Sequence, residues 1–193
     1  MDEIKKYVPE EYWHGRGMNY VAPGEIDEAD EVENLKGLII EHGLLESPIL
    51  EVGSGYGRIL QEINKILFIT KPLEYHMCDF VESMRYKCLT STGKLPELWD
   101  GRELPYNDGE FSLVISFSVL LHVLPDMIEL VLREHVRTSN NYIFIATYNG
   151  NLDRLAAHCF KHDYLALFEK IGLSIVSFKT YQNGLRANWL LSV

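Results

Sequence analysis

The chain is short of the features that mark secreted, membrane-spanning and nucleic-acid-coating proteins. Its three cysteines, Cys78, Cys88 and Cys159, are an odd number whose spacings fit neither a disulfide framework nor a zinc pattern, so they are expected to be small core residues and no metal is assigned. No apolar run comes near the roughly 20 residues that a membrane-crossing helix needs. The opening Met1-Asp2-Glu3-Ile4-Lys5-Lys6 lacks the apolar core of a signal peptide, and a cytoplasmic protein with no membrane partner is expected. Positive charge is scarce as well. With 18 Lys and Arg against 28 Asp and Glu the net charge is −10, which repels polyphosphate and argues against nucleic acid as the partner. Low-complexity tracts and internal repeats are missing too. An apolar content of 47% over 193 residues is enough for one domain with a sizeable core and too little for two.

What the chain does have is an apolar strand running straight into three alternate glycines, Ile49-Leu50-Glu51-Val52-Gly53-Ser54-Gly55-Tyr56-Gly57-Arg58, and then Ile59, Leu60, Ile63 and Ile66 at helical spacing. Glycines placed so let the backbone take positive φ and clear Cβ atoms from the turn. A ligand can then lie on the main chain beside the next helix's N-terminus. A dinucleotide fingerprint reads G-x-G-x-x-G. Here the third glycine arrives one residue early, and an acid, Glu51, stands two residues before the first.

Along the rest of the chain, residues 1–27 show no clear period. The spacing predicts a helix over 27–42 stopped at Gly43, a strand over 49–52 after Pro48, a strand over 73–79 ending on Asp79, and a helix over 81–91 closed by Gly93. A short strand over 97–99, a buried strand over 111–117, an apolar helical start over 119–123, a helix over 126–138 and a strand over 142–147 follow. A helix over 162–170 leads to strand-like runs over 174–181 and 186–193, joined by Gln182-Asn183-Gly184, a hairpin signal. Strands alternating with helices imply an α/β fold with a doubly wound, parallel sheet, here closed by an antiparallel pair.

In such a sheet the ligand lies across the carboxyl ends of the strands, so the residues just after each strand matter most. Asp79 ends the second strand, and a carboxylate there can accept hydrogen bonds from both hydroxyls of a ribose; as an isolated residue it would be read as a helix cap. Phe80 and Met84 are placed to cover the faces of an adenine ring or to pack the core. Asp100, before Gly101, either accepts from an adenine amino group or makes a turn.

The run from Asp100 to Val123 carries Leu104-Pro105-Tyr106, Asp108-Gly109-Glu110-Phe111, the strand Ser112 to Phe117 and Val119-Leu120-Leu121-His122-Val123. It resembles the L-P-F-x-D-x-x-F-D-x-V-x-S-x-x-x-L-x-H-V block of small class I, Rossmann-like, S-adenosylmethionine-dependent methyltransferases. The glycine turn resembles their motif I, E/D-x-G-x-G-x-G. The resemblance covers roughly residues 35 to 193, with one departure: Ser112 stands where the family often has aspartate. It implies a three-layer sandwich around a seven-stranded, mostly parallel sheet with an antiparallel C-terminal hairpin strand. The implied cofactor is S-adenosyl-L-methionine, with S-adenosyl-L-homocysteine as product. Carried over by position, Glu51, Gly53, Ser54, Gly55, Tyr56 and Gly57 fall to the methionine end, Asp79 to the ribose, and Phe80, Asp100 and Gly101 to the adenine. Ser116 and Phe117 would lie beside the sulfonium.

The resemblance also implies that residues 1–30 form a lid over a core of 31–193 and that methyl transfer proceeds by in-line displacement; it says almost nothing of the substrate, and a small-molecule acceptor is expected. The aromatics of Tyr12-Trp13-His14-Gly15-Arg16-Gly17-Met18-Asn19-Tyr20 would enclose the sulfonium or a substrate cation, or simply pack the segment onto the sheet. Substrate-pocket candidates are Tyr12, Trp13, Arg16, Tyr20, Ser118, His122, Tyr148 and Asn149. His122 is the one catalytic candidate, with a structural or pocket-lining role preferred, and Lys161-His162 are also within reach of the site. Residues 148–172 leave room for only a loop and one helix, so the roof must come from the N-terminal segment or a partner subunit, and a homodimer stays open. The competing functions are a non-catalytic cofactor-binding or interaction module on the same fold and, less favoured, an NAD-dependent oxidoreductase.

Overall fold

The computed structural model describes residues 8–17, 28–66, 73–149 and 156–193. Seven strands form one sheet: β1 (Ile49–Val52), β2 (Tyr75–Asp79), β3 (Glu97–Leu98), β4 (Phe111–Phe117), β5 (Ser139–Tyr148), β6 (Ser174–Tyr181) and β7 (Arg186–Ser192). Their order is β3-β2-β1-β4-β5-β7-β6; β1 to β5 run parallel, and β7 is antiparallel to both β5 and β6. Strands buried on both faces must be apolar on both. Accordingly Ile49, Leu113, Ile115 and Phe144 face one apolar cluster, while Leu50, Val52, Val114, Ile143 and Ile145 face the other.

Helices α2 (Ala29–Glu41), α3 (Arg58–Ile66) and α4 (Glu82–Thr92) cover the first face, through Val32, Leu35, Ile39, Ile59, Leu60, Ile63 and Cys88. Helices α5 (Ile128–Thr138) and α6 (Tyr164–Ile171) cover the second, through Val131, Leu132 and Phe168. The layers are those of a doubly wound, three-layer α/β fold. Among the described residues no helix is long and apolar enough to cross a membrane.

Three segments differ from the sequence expectation. Residues 119–123 hold only a short 3₁₀ turn, Leu120–His122, because Ser118 leaves β4 at φ 59 and Pro125 follows closely. Strand β5 is ten residues long, extending back to Ser139, which pairs with Phe111 of β4, and on to Tyr148, which pairs with Arg186 at the start of β7. A helix, α1 (Pro9–Arg16), occupies part of the aperiodic N-terminus. Its signals are local: proline in its first turn, Glu10 and Glu11 beside it, and His14 and Arg16 at its end, where each charge suits the helix dipole.

One polar group sits deep in the core. Arg186 on β7 and Glu31 on α2 are 1% and 0% exposed, and the guanidinium Nη2 donates to Glu31 Oε2 at 2.9 Å. The same Nη2 donates to Ser118 Oγ at 2.9 Å and lies 3.0 Å from Glu28 Oε1. Burial raises the Glu31 pKa, against the pull of Arg186. A buried pair stabilises little over an apolar pair, yet losing one member strands the other charge. Arg186→Met is therefore expected to cost about 3 to 5 kcal/mol in urea unfolding, and Glu31→Leu combined with Arg186→Met to recover most of that loss. A double variant as unstable as the sum of its parts would contradict this.

Candidate functional site

The chain leaves β1 outward to β2 and β3 and returns beside β1 as β4, so the sheet's switch point lies between the carboxyl ends of β1 and β4. A cleft opens there, lined by Glu51, the turn Gly53 to Tyr56, Asp79 to Val81, Met84, Trp99 and Phe117 to Val119. Gly53, Gly55 and Gly57 have φ 73°, 55° and 78°. Their roles differ. A Cβ on Gly53 would stand 2.5 Å from Val119 Cγ2, and one on Gly57 would stand 2.6 Å from both Cys88 Sγ and Thr92 Cγ2. These two glycines let the turn pack against its neighbours. A Cβ on Gly55 would meet nothing within 4 Å, so this glycine alone keeps open space above the main chain.

Asp79 fixes the turn. Its Oδ2 accepts from the Gly55 N–H at 2.7 Å and its Oδ1 from the Val81 N–H at 2.8 Å. Gly53 and Ser54 N–H groups bind the neighbouring Cys78 carbonyl at 2.9 and 3.1 Å. Burial raises the Asp79 pKa, while the Val81 and Gly55 amides, Arg85 and His14 act the other way. Each oxygen accepts one of these bonds, and a carboxylate oxygen has two lone pairs, so acceptor capacity remains toward the cleft.

Glu51, 2% exposed, takes a hydrogen bond from Tyr75 Oη at 2.9 Å. Burial pushes its carboxyl up to about 8, against the Tyr75 bond and the Arg58 charge. Beside it Ser54 Oγ, and across the cleft Trp99 Nε1, are buried polar atoms with no hydrogen-bond partner among the described residues. Buried polar atoms normally find partners. Two orphans in one cleft, with open space at Gly55, fit a polar ligand lying along the turn.

Phe80, Met84 and Trp99 wall the far end of the cleft. Asp100 and Gly101 lie outside the lining; Asp100 Oδ1 instead accepts from Arg102 and Glu103 N–H at 2.8 and 3.1 Å, so it closes its own turn. Ser116 is fully buried in β4 behind Phe117 and also misses the cleft. Gly57 is likewise a packing residue. Trp99, Arg58, Ile59, Val81 and Val119 line the cleft without having been singled out in the sequence. Trp99 follows the two-residue β3, where alternation is too brief to read.

At the other end, Trp13 of α1 and His122 close the mouth, their rings 4.9 Å apart. A Cβ on Gly17 would run into the Ser83 and Val81 side chains, so the end of α1 abuts the start of α4. His122 Nδ1 lies 2.9 Å from the His158 carbonyl, and burial pushes its pKa down to about 4, leaving a neutral ring. Ser118 lines the cleft with its hydroxyl donated to Glu28 Oε1 at 2.9 Å. Tyr12 stacks on His158 and bonds Arg16; neither Tyr12 nor Arg16 lines the cleft. Tyr148 sits under Arg186 and the Asn149 amide binds the Leu185 carbonyl, so both belong to the β5–β7 end. His162 Nε2 meets the Leu120 carbonyl at 3.1 Å and serves that turn. Tyr20 lies outside the described residues.

The Glu51 environment sets a pH dependence. The folded chain keeps this proton where the unfolded chain has released it, so Glu51 costs nothing below the unfolded value of 4.5 and an increasing amount as the pH climbs to about 8. Glu51→Gln is expected to flatten the fall in stability between those limits, read from urea unfolding at a series of pH values. An unchanged slope would contradict the buried, protonated carboxyl.

Comparison with known proteins bears on this geometry. The family described as "Methyltransferase domain" matches residues 50–141. In structure the chain is similar to magnesium protoporphyrin IX methyltransferase from Synechocystis PCC 6803, solved with bound SAM, at 12% identity and a TM-score of 0.67 over 95% of this chain and 91% of that one. It is similar to the methyltransferase in complex with the Haloferax volcanii Trm112 methyltransferase activator, at 13% identity and 0.65 over 97% and 98%. It is similar as well to phosphoethanolamine N-methyltransferase 1 of Haemonchus contortus, at 13% identity and 0.67 over 95% of this chain and 47% of that one. Among curated protein sequences none matches. Residues 50–141 thus match the methyltransferase-domain family, and the whole sheet has the class I, Rossmann-like fold of methyltransferases solved with SAM.

Proposed function

We propose that the chain binds S-adenosylmethionine in this cleft and transfers its methyl group to a small-molecule acceptor. The observation that carries the reading is the Asp79 carboxylate, held by two main-chain amides at the end of β2 beside the open space at Gly55. In this reading the remaining lone pairs of Asp79 accept from the ribose hydroxyls, and Glu51, Ser54 and the turn amides hold the methionine end. Phe80, Met84 and Trp99 cover the adenine, with Trp99 Nε1 gaining the partner that it lacks among the described residues. Asp100 and Ser116 drop out of the binding set.

The cofactor supplies a methyl group on a sulfonium, open to in-line attack by an N, O, S or C nucleophile. What the chain contributes is position and dryness. Phe117, Val119, His122 and Trp13 form an apolar mouth that excludes water, and alignment of this kind contributes about 7 to 11 kcal/mol to a bimolecular step. His122, neutral above about pH 4, is a wall residue able to take a proton only from an acceptor that must lose one. The contacts of α1 with His122, His158 and Phe80 support a lid role for the N-terminal 30 residues. A narrow aromatic mouth and a net charge of −10 favour a small acceptor over a nucleic acid. Three unpaired cysteines suit a reducing, cytoplasmic setting.

Isothermal titration with S-adenosylhomocysteine, with NAD as the control ligand, tests the reading. Binding of the former alone is expected. Asp79→Ala should weaken it by about 1 to 3 kcal/mol, and Gly55→Val should abolish it, since a branched side chain at positive φ would fill the ligand's place. No binding, or unchanged affinity in both variants, would overturn the assignment.

A further inference from the structure

Three side chains with metal-binding chemistry meet at the cleft mouth. His122 ends the Leu120–His122 turn, and His158 and Cys159 lie on the stretch leading into α6. One donor atom from each lies within 4.8 Å of the other two. Cys159 Sγ is 3.6 Å from His122 Nδ1. With Zn–N and Zn–S bonds at a tetrahedral angle, two donors stand roughly 3.3 to 3.8 Å apart. The Cys159–His122 pair is already at that spacing, the third donor lies within 4.8 Å of both, and ligation through His122 Nδ1 shifts that ring's proton to Nε2 and gives up its 2.9 Å bond to the His158 carbonyl.

The two segments are tied together by main-chain and side-chain bonds, among them His122 Nδ1 to the His158 carbonyl at 2.9 Å. Phe160 N–H donates to the Leu121 carbonyl at 2.7 Å, Cys159 N–H to the Ala156 carbonyl at 2.8 Å, and His162 Nε2 holds the Leu120 carbonyl. Aromatic neighbours fix the ring planes: Tyr12 stacks on His158 at 4.5 Å, and Trp13 meets His122 edge-on.

We propose that His122, His158 and Cys159 bind one Zn²⁺ ion at the mouth of the cleft. A mixed imidazole and thiol set suits zinc and disfavours magnesium or calcium, which take oxygen ligands. Three protein ligands leave a four-coordinate zinc one position for an exogenous donor, the arrangement of a reactive rather than a purely structural site. Because His122 lines the cleft, that position borders the path of an incoming acceptor. This last consequence rests on the methyl-transfer reading; the metal site itself does not. Binding breaks the Cys159 S–H bond, forms a zinc–sulfur bond and releases one proton to solvent for each ion bound. The spacing of residues 122, 158 and 159 matches no sequence pattern for zinc, and only the fold brings them together.

The test uses the full chain, stripped with a chelator and dialysed, then titrated with Co²⁺ as a spectroscopic stand-in and with Zn²⁺ by calorimetry. Saturation at one equivalent is expected, with a thiolate-to-cobalt charge-transfer band that Zn²⁺ abolishes, and with one proton released, read from buffers of different ionisation enthalpy. Cys159→Ser should remove the band and weaken Zn²⁺ binding by roughly 100-fold or more, beyond the loss of an outer partner. His158→Ala, at a partly exposed position, should weaken it similarly, and it decides the matter if the serine variant fails to fold. No saturable binding at one equivalent, or a band and affinity that survive both substitutions, would overturn the site. Loss of S-adenosylhomocysteine binding would leave this result untouched, so the two proposals fail separately.

Discussion

Asp79 joins the two halves of the site with one carboxylate. It accepts from an amide on the glycine turn and from an amide at the start of α4, so the ends of β1 and β2 cannot move apart without stranding a buried charge. That constraint explains the local sequence. For its N–H to point at Asp79, Gly55 adopts φ 55°, and the missing Cβ leaves the turn's upper surface open. Gly53 and Gly57 are needed on other grounds, because Val119 on one side and α4 on the other crowd them. The alternate glycines are thus one residue facing open space between two packing residues.

A second polar group supports the opposite wall. Glu28 receives the Ser118 hydroxyl and pairs with Arg58 and Arg186, while Arg186 also grips Glu31. These residues come from α2 and its cap, α3, β7 and the end of β4, and they meet under the cleft. Ser118, held at φ 59°, is where β4 turns away to form the cleft's rim. The two networks serve different ends. The Asp79 clamp shapes the side where the turn lies, whereas the Glu28–Arg186 group fixes the Ser118 side and ties it to the core. Burying Arg186 at 1% exposure costs free energy that no apolar pair would cost. Its return is a fixed geometry at Ser118 and Arg58.

The fold was legible because its strands are long enough to show burial on both faces and its turns carry glycine or proline. The Ile49–Val52 strand with its glycine turn, Asp79 at the end of β2 and the hairpin at Gln182 to Gly184 all announce themselves locally. Elsewhere the signal failed for identifiable reasons. Helix α1 has no buried face and so no period; only its end charges and Pro9 mark it. The turn at Leu120–His122 looks helical by composition, but the positive φ of Ser118 is a tertiary choice. Asp100 was attractive because an acid follows β3, yet the ring beside it, Trp99, points into the cleft while the acid closes its own turn. The Arg186–Glu31 pair spans 155 residues, and no window along the chain could join them.

The central claim is that the ligand lies along the turn clamped by Asp79. Amide hydrogen exchange by mass spectrometry, with and without saturating S-adenosylhomocysteine, tests it most directly. Added protection is expected in the peptides spanning the Gly53–Arg58 turn, Asp79 to Met84, Trp99 and Phe117 to His122, with the β6–β7 hairpin unchanged. Protection confined to other segments, or none at saturation, would contradict it.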